Sequence, residues 1–216
     1  MSRFALANSH ADAFSDRQQR RDASDLGMWV FLTTETLFFG VLFAGYVIMR
    51  VRFPQAFAAA GRHTDLLLGT ANTAILLTSS LFMALAVAAA EANRRRAALA
   101  FLGVTAALGI VFLVIKGFEY HAEFVEHLVP ALDFRFDARY LRGAEIFFWL
   151  YFVITGVHAL HLSAGVVVVT AMAARLARSG FARQTPLSIE MAGLYWHFVD
   201  IVWIFVYPCL YLIARS

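Results

Sequence analysis

Apolar residues run through this chain in long unbroken blocks, and the polar residues gather between the blocks. A helix needs roughly 20 apolar residues to cross about 30 Å of hydrocarbon. Five stretches reach that length: Gly27 to Met49, Leu66 to Ala90, Ala97 to Ile115, Glu145 to Ala174 and Met191 to Ile213. None carries the charged face of a helix on a soluble bundle. None alternates in segments of about 10 residues, as a transmembrane barrel does. The pattern predicts an all-α polytopic membrane protein, a bundle of five transmembrane helices. Residues 1–26, with His10, Asp12, Asp16, Arg17, Arg20, Arg21, Asp22 and Asp25, form a polar tail. It reads as cytoplasmic and uncleaved, because the first apolar run is too long for a signal-peptide core. Residues 27–216 form a single membrane domain.

Composition agrees: 61% of the 216 residues are hydrophobic and 15% charged, which excludes an ordinary soluble domain. All 18 Lys and Arg residues fall outside the five stretches, ten on the side of the tail and eight opposite. Arg94, Arg95 and Arg96 occupy a short connection on the tail's side, and short arginine-rich connections stay inside. The amino terminus is therefore expected inside and the carboxyl terminus outside. The basic pI of about 9.3 then reflects topology and anionic lipid headgroups, with no nucleic acid as partner. The one cysteine, Cys209, builds no disulfide or cysteine cluster within the chain. Pro208 is the one proline inside a stretch; a neighbouring helix or a water is expected to satisfy the carbonyl it frees. The longest connection, Lys116 to Gly143, carries Glu119, Glu123, Glu126, Asp133 and Asp137 and is expected to form a cap.

Ionisable residues at membrane depth are costly and mark candidate sites. Glu35, His197 and Asp200 stand out. If the first and last stretches enter from the same side, Glu35 and His197 lie at depths of roughly 12 and 9 Å, and Asp200 projects from nearly the same helix face as His197. Such a cluster serves either as a proton relay or buffer or as buried ionic glue between two helices. His158 and His161 share a face at i and i+3. Two bis-His haems would need facing histidines about four turns apart, and a di-metal bundle would need Glu-x-x-His on separate helices. Neither pattern is present, so these histidines are expected to hydrogen-bond Thr155, Ser163 or backbone carbonyls, with no metal ligation.

Small residues in stretch two (Gly69, Thr70, Ala71, Asn72, Thr73, Thr78, Ser79) and stretch four (Thr155, Gly156, Ala159, Ser163, Ala164, Gly165) predict close helix contacts with hydrogen bonds across them. The bulky Phe38, Phe39, Phe147, Phe148, Trp149, Tyr151 and Phe152 are expected at the lipid face or in the aromatic belt.

The run Gly193 to Trp203, Gly-Leu-Tyr-Trp-His-Phe-Val-Asp-Ile-Val-Trp, resembles the last helix of subunit III of the haem-copper respiratory oxidases. Glu35, Leu37, Phe38 and Phe39 are similar to that family's Glu-x-Leu-Phe-Phe segment, whose glutamate reacts with carbodiimide. Asn72, Thr73, Glu119 and Tyr120 follow, and Thr155, Gly156, His158, His161 and Gly165 are similar to its Thr-Gly-x-His-x-x-His-x-x-x-Gly. The resemblance runs in order from Gly27 to Ile213, in the five-span bacterial form of a subunit often built with seven.

The resemblance implies a non-catalytic subunit in the bacterial cytoplasmic membrane, stabilising subunit I and supporting proton uptake in an oxidase that couples cytochrome c oxidation to oxygen reduction and proton pumping. It implies haem and copper in the partner catalytic subunit, none in this chain, and structural phospholipid beside it. It also implies interhelical polar roles for Asn72, Glu119, Thr155, His158, His161 and Trp203. Two other readings stand beside it: a five-span subunit associated with nitric oxide reductase, and an independent proton channel or transporter. The second lacks the Gly/Pro interruption and internal repeat expected of a transporter.

Overall fold

A computed structural model describes residues 2–179 and 186–212. The elements are α1 (Ser2–Arg52), α2 (Pro54–Gly61), α3 (Leu66–Glu91), α4 (Arg95–Val125), α5 (Leu141–Ser179), α6 (Pro186–Tyr207) and a π-helical turn, Pro208–Leu212. Among the described residues five segments are long and apolar enough to cross a membrane: Asp22–Arg52, Leu66–Glu91, Arg95–Val125, Leu141–Arg178 and Leu187–Leu212. Ile213, the expected end of the last one, lies outside the described residues.

The chain divides into two compact units, Met1–Leu37 and Phe38–Ser216. In the first, the hydroxyls of Thr33, Thr34 and Thr36 donate to the carbonyls of Trp29, Phe31 and Leu32 at 2.7 Å. Each satisfies its polar group on its own helix, as a hydroxyl in an apolar stretch must.

In the second unit α3, α4, α5 and α6 close a ring: α3 packs on α4 and α6, and α5 packs on the same two. Local chemistry sets where these helices begin and end. Asp65 caps α3, accepting from the Leu67 and Leu68 amides at 2.8 and 3.1 Å. At the other end Asn93 takes a left-handed φ of 55°, and the Asn93 and Arg94 amides return to the carbonyls of Ala90 and Ala89, a Schellman stop. His127, with φ 57°, ends α4 the same way, its amide and that of Leu128 returning to Phe124 and Glu123.

Stretch three thus extends ten residues past the expected Ile115, and Lys116, Glu119 and Glu123 lie inside a helix rather than in a connection. The connection that remains folds over one end of the bundle, where Phe134 packs on Phe148 and Phe136 faces His63. Pro208 ends α6 and opens the π turn, where Tyr46 of α1 donates its hydroxyl to the Cys209 carbonyl.

Trp196 fills the middle of the ring. A Cβ on Gly109 of α4 would stand 2.8 Å from its ring and one on Gly165 of α5 3.2 Å, so these helices reach it because both positions lack a side chain. Its Nε1 donates to Ser79 Oγ of α3 at 3.1 Å. Phe39, Phe147, Phe148 and Tyr151, expected at the lipid, are buried in the core. Phe38 and Trp149 are exposed. Composition does not separate these sets, because an aromatic ring suits a packed interior and a lipid face equally.

Candidate functional site

The contact between α3 and α6 is a ladder of hydroxyls. Thr70 and Thr73 each donate to a carbonyl one turn back on α3, and Ser79 donates to Leu76. Each oxygen keeps a lone pair for α6, accepting from Tyr207 OH at 2.7 Å, Trp203 Nε1 at 3.0 Å and Trp196 Nε1 at 3.1 Å. The next rung joins Ser80 Oγ to His197 Nδ1 at 2.7 Å.

His197 and Asp200 stand at that rung. Asp200 is 4% exposed. Ser80 approaches it, but its hydroxyl is joined to His197, and neither carboxyl oxygen closes a hydrogen bond. Glu35 belongs to the first unit and the other two to the second.

At the far end of α4 and α6 lies a second polar group, fully enclosed. Lys116 Nζ donates to Glu119 Oε2 at 2.9 Å and to the hydroxyls of Tyr151 and Tyr211 at 2.7 Å. Tyr211 in turn donates to Glu119 Oε1 at 2.6 Å. Lys116 and Glu119 are each 2% exposed. The ammonium also lies over the Tyr151 ring, 4.4 Å from its centroid, an attraction that strengthens where water is excluded. Tyr120 OH meets Thr155 Oγ1 at 2.6 Å, and Thr155 donates to the Tyr151 carbonyl, so Tyr120 is the donor of that pair.

The remaining residues singled out from the sequence are placed variously. Trp203 meets Phe112 edge to face at 4.7 Å and borders His158 at 5.0 Å. His158 bonds none of the groups expected for it: it is buried between these rings with no hydrogen bond at either nitrogen. His161 Nδ1 meets the Val157 carbonyl at 2.9 Å, and its ring borders Phe39. Asn72 is buried with no hydrogen bond to its amide atoms. Among the described residues no three His, Cys, Asp or Glu side chains gather as a metal site.

Ser80 and Tyr211 carry no expectation from the sequence, and Lys116, Glu123 and Tyr151, expected in a connection or at the lipid face, join this polar interior instead. For Lys116 and Glu123 the signal is present in the sequence. Lys116, Glu119 and Glu123 recur at i, i+3 and i+7, one face of a helix running past Ile115.

This is the anatomy of a membrane-embedded helical subunit held together by interhelical polar contacts. The family model of cytochrome c oxidase subunit III matches residues 14–215, and the chain belongs to that family. It is 32% identical over 212 residues to cytochrome c oxidase subunit 3 of Thermostichus vulcanus, covering 98% of this chain and 94% of that one. It is 31% identical over 217 residues to cytochrome bo(3) ubiquinol oxidase subunit 3 of Pseudomonas aeruginosa, covering 97% and 98%. To a haem-copper oxidase subunit I+III of Aeropyrum pernix it is 30% identical over 199 residues, 89% of this chain and 23% of that longer one.

Proposed function

We propose that this chain is the non-catalytic subunit III of a haem-copper terminal oxidase in the bacterial cytoplasmic membrane, where it stabilises catalytic subunit I. The observation that carries this reading is the nearly full-length family match. The relative in which the two subunits share one polypeptide supports a direct partnership, since fusion requires the parts to lie together. Haem and copper belong to the catalytic partner, phospholipid to the apolar outer surface, and cytochrome c is the electron donor.

His197 and Asp200 supply titratable groups in the middle of α6, and Glu35 is proposed to join them with the amino terminus inside. A carboxyl beside an imidazole trades protons near neutral pH, which suits proton uptake toward the partner. Purification through a tag on this chain tests the partnership: a haem-bearing subunit that oxidises reduced cytochrome c is expected in the eluate, and an eluate without haem absorbance refutes it. The pairing has its own test. If Glu35 and His197 interact, the double change to Gln and Phe lowers assembly yield less than the two single losses combined; additive losses refute it.

A further inference from the structure

The Lys116 layer has an unbalanced count of ionisable groups. Lys116 has all its donors engaged, at Glu119, Tyr151 and Tyr211. Three acceptors require three hydrogens, so the group is an ammonium; a neutral amine has two. Glu119 accepts at both oxygens, from Lys116 and from Tyr211, as a carboxylate does. That pair is complete and neutral. One turn further along α4 stands Glu123, 4% exposed, with neither carboxyl oxygen hydrogen-bonded. Tyr151 approaches it; its oxygen accepts from Lys116, so it offers Glu123 at most a neutral hydroxyl hydrogen and no positive charge.

An ionised Glu123 would leave one uncompensated negative charge buried in the bundle, which a low-dielectric interior tolerates poorly. A neutral carboxyl there leaves the layer without net charge. The groups facing Glu123 are Lys116, Glu119, Tyr120 and Glu126 from its own helix, Tyr151 from α5 and Tyr211 from the π turn. The one cation among them is taken. Glu126, the C-cap of α4, lies one turn beyond and is half exposed, with His63 Nδ1 at 3.9 Å from its carboxylate.

We propose that Glu123 is a proton-binding site: it holds one exchangeable proton at neutral pH, sealed beside the Lys116–Glu119 pair and loaded from the bundle end through Glu126 and His63. The site is separate from His197 and Asp200, and it does not depend on the reading of this chain as an oxidase subunit.

Infrared difference spectra of the purified complex, wild type against Glu123→Gln at neutral pH, test it. The expected result is a carbonyl band of a neutral carboxylic acid that shifts in D2O and is absent from the variant. Absence of that band, or loss of a carboxylate band instead, overturns the proposal. Because an amide copies the shape and charge of a neutral acid, Glu123→Gln is expected to assemble at the wild-type yield. A several-fold loss of yield would mean that a charge had been removed, and would equally overturn it. In Glu126→Gln the D2O shift of the band is expected to slow several-fold; an unchanged rate refutes the route through Glu126.

Discussion

The middle of α6 and the π turn that follows it solve the problem of a buried charge in different ways. At Lys116 every donor of the ammonium and both oxygens of Glu119 are matched, with two tyrosines completing the set. About 16 Å back along the chain from Tyr211, Asp200 lies equally buried with no hydrogen bond of its own, while its neighbour Ser80 serves His197. The first arrangement fixes helices; closing α4, α5 and the π turn around one ammonium leaves little freedom. The second leaves polar capacity unspent, as a group that exchanges protons requires. Matched and unmatched polar groups thus stand at different levels of the same helix.

The largest effect should come from breaking the matched group. Lys116→Met leaves Glu119 buried without its cation, a loss of about 3–5 kcal/mol, and the thermal stability of the purified complex should fall steeply. The double variant Lys116→Met with Glu119→Leu should recover much of it; no recovery would show that the ion pair is not the unit.

Next comes steric displacement of Tyr211. A Cβ on Gly69 would stand 2.7 Å from its ring, so Gly69→Ala pushes the ring away from Lys116 and Glu119. A cost of about 1–3 kcal/mol is expected. In the Lys116→Met background the same change should cost less, since the bond to Lys116 is already gone.

Smaller still is Ser80→Ala at the unmatched level. Removing one interhelical hydrogen bond costs about 0.6 kcal/mol in a membrane, so assembly should be nearly normal while proton uptake by the complex changes its pH profile. An unaltered profile would make His197 a structural residue only.

The smallest effect belongs to the loop. The hydrogen bond from Arg135 holds Asp133 below the ordinary carboxylate range, and Arg139 does the same for Asp137. Their contribution to loop order is present above that range and is lost as the pH falls through the lowered values. Both pairs are solvent-exposed and salt-screened. Proteolysis within residues 126–140 should rise modestly on acidification, less so in Asp133→Asn and at high salt.

Much of this design is visible in the residue pattern. The apolar blocks place five helices, since no other backbone satisfies itself in hydrocarbon over such lengths. The small hydroxyl residues of α3 mark the side that meets α6, for Thr70, Thr73, Ser79 and Ser80 fall within three turns of an otherwise apolar helix. Lys116 escapes that reading, because a charge ordinarily ends a transmembrane stretch. Its three acceptors come from α4, α5 and the π turn after α6, separated by up to 95 positions, and no local window contains them.

Sequence by itself determined the class of protein, its helices and the hydroxyl-bearing side of α3, because hydropathy and helical period are properties of neighbouring residues. Tertiary structure decided which charges are matched. It seated the Lys116 ammonium against Glu119, enclosed Glu123 without a partner and gave Ser80 to His197. The physical reason is that the cost of a buried charge depends on what stands within about 3 Å of it, and those neighbours arrive from other helices.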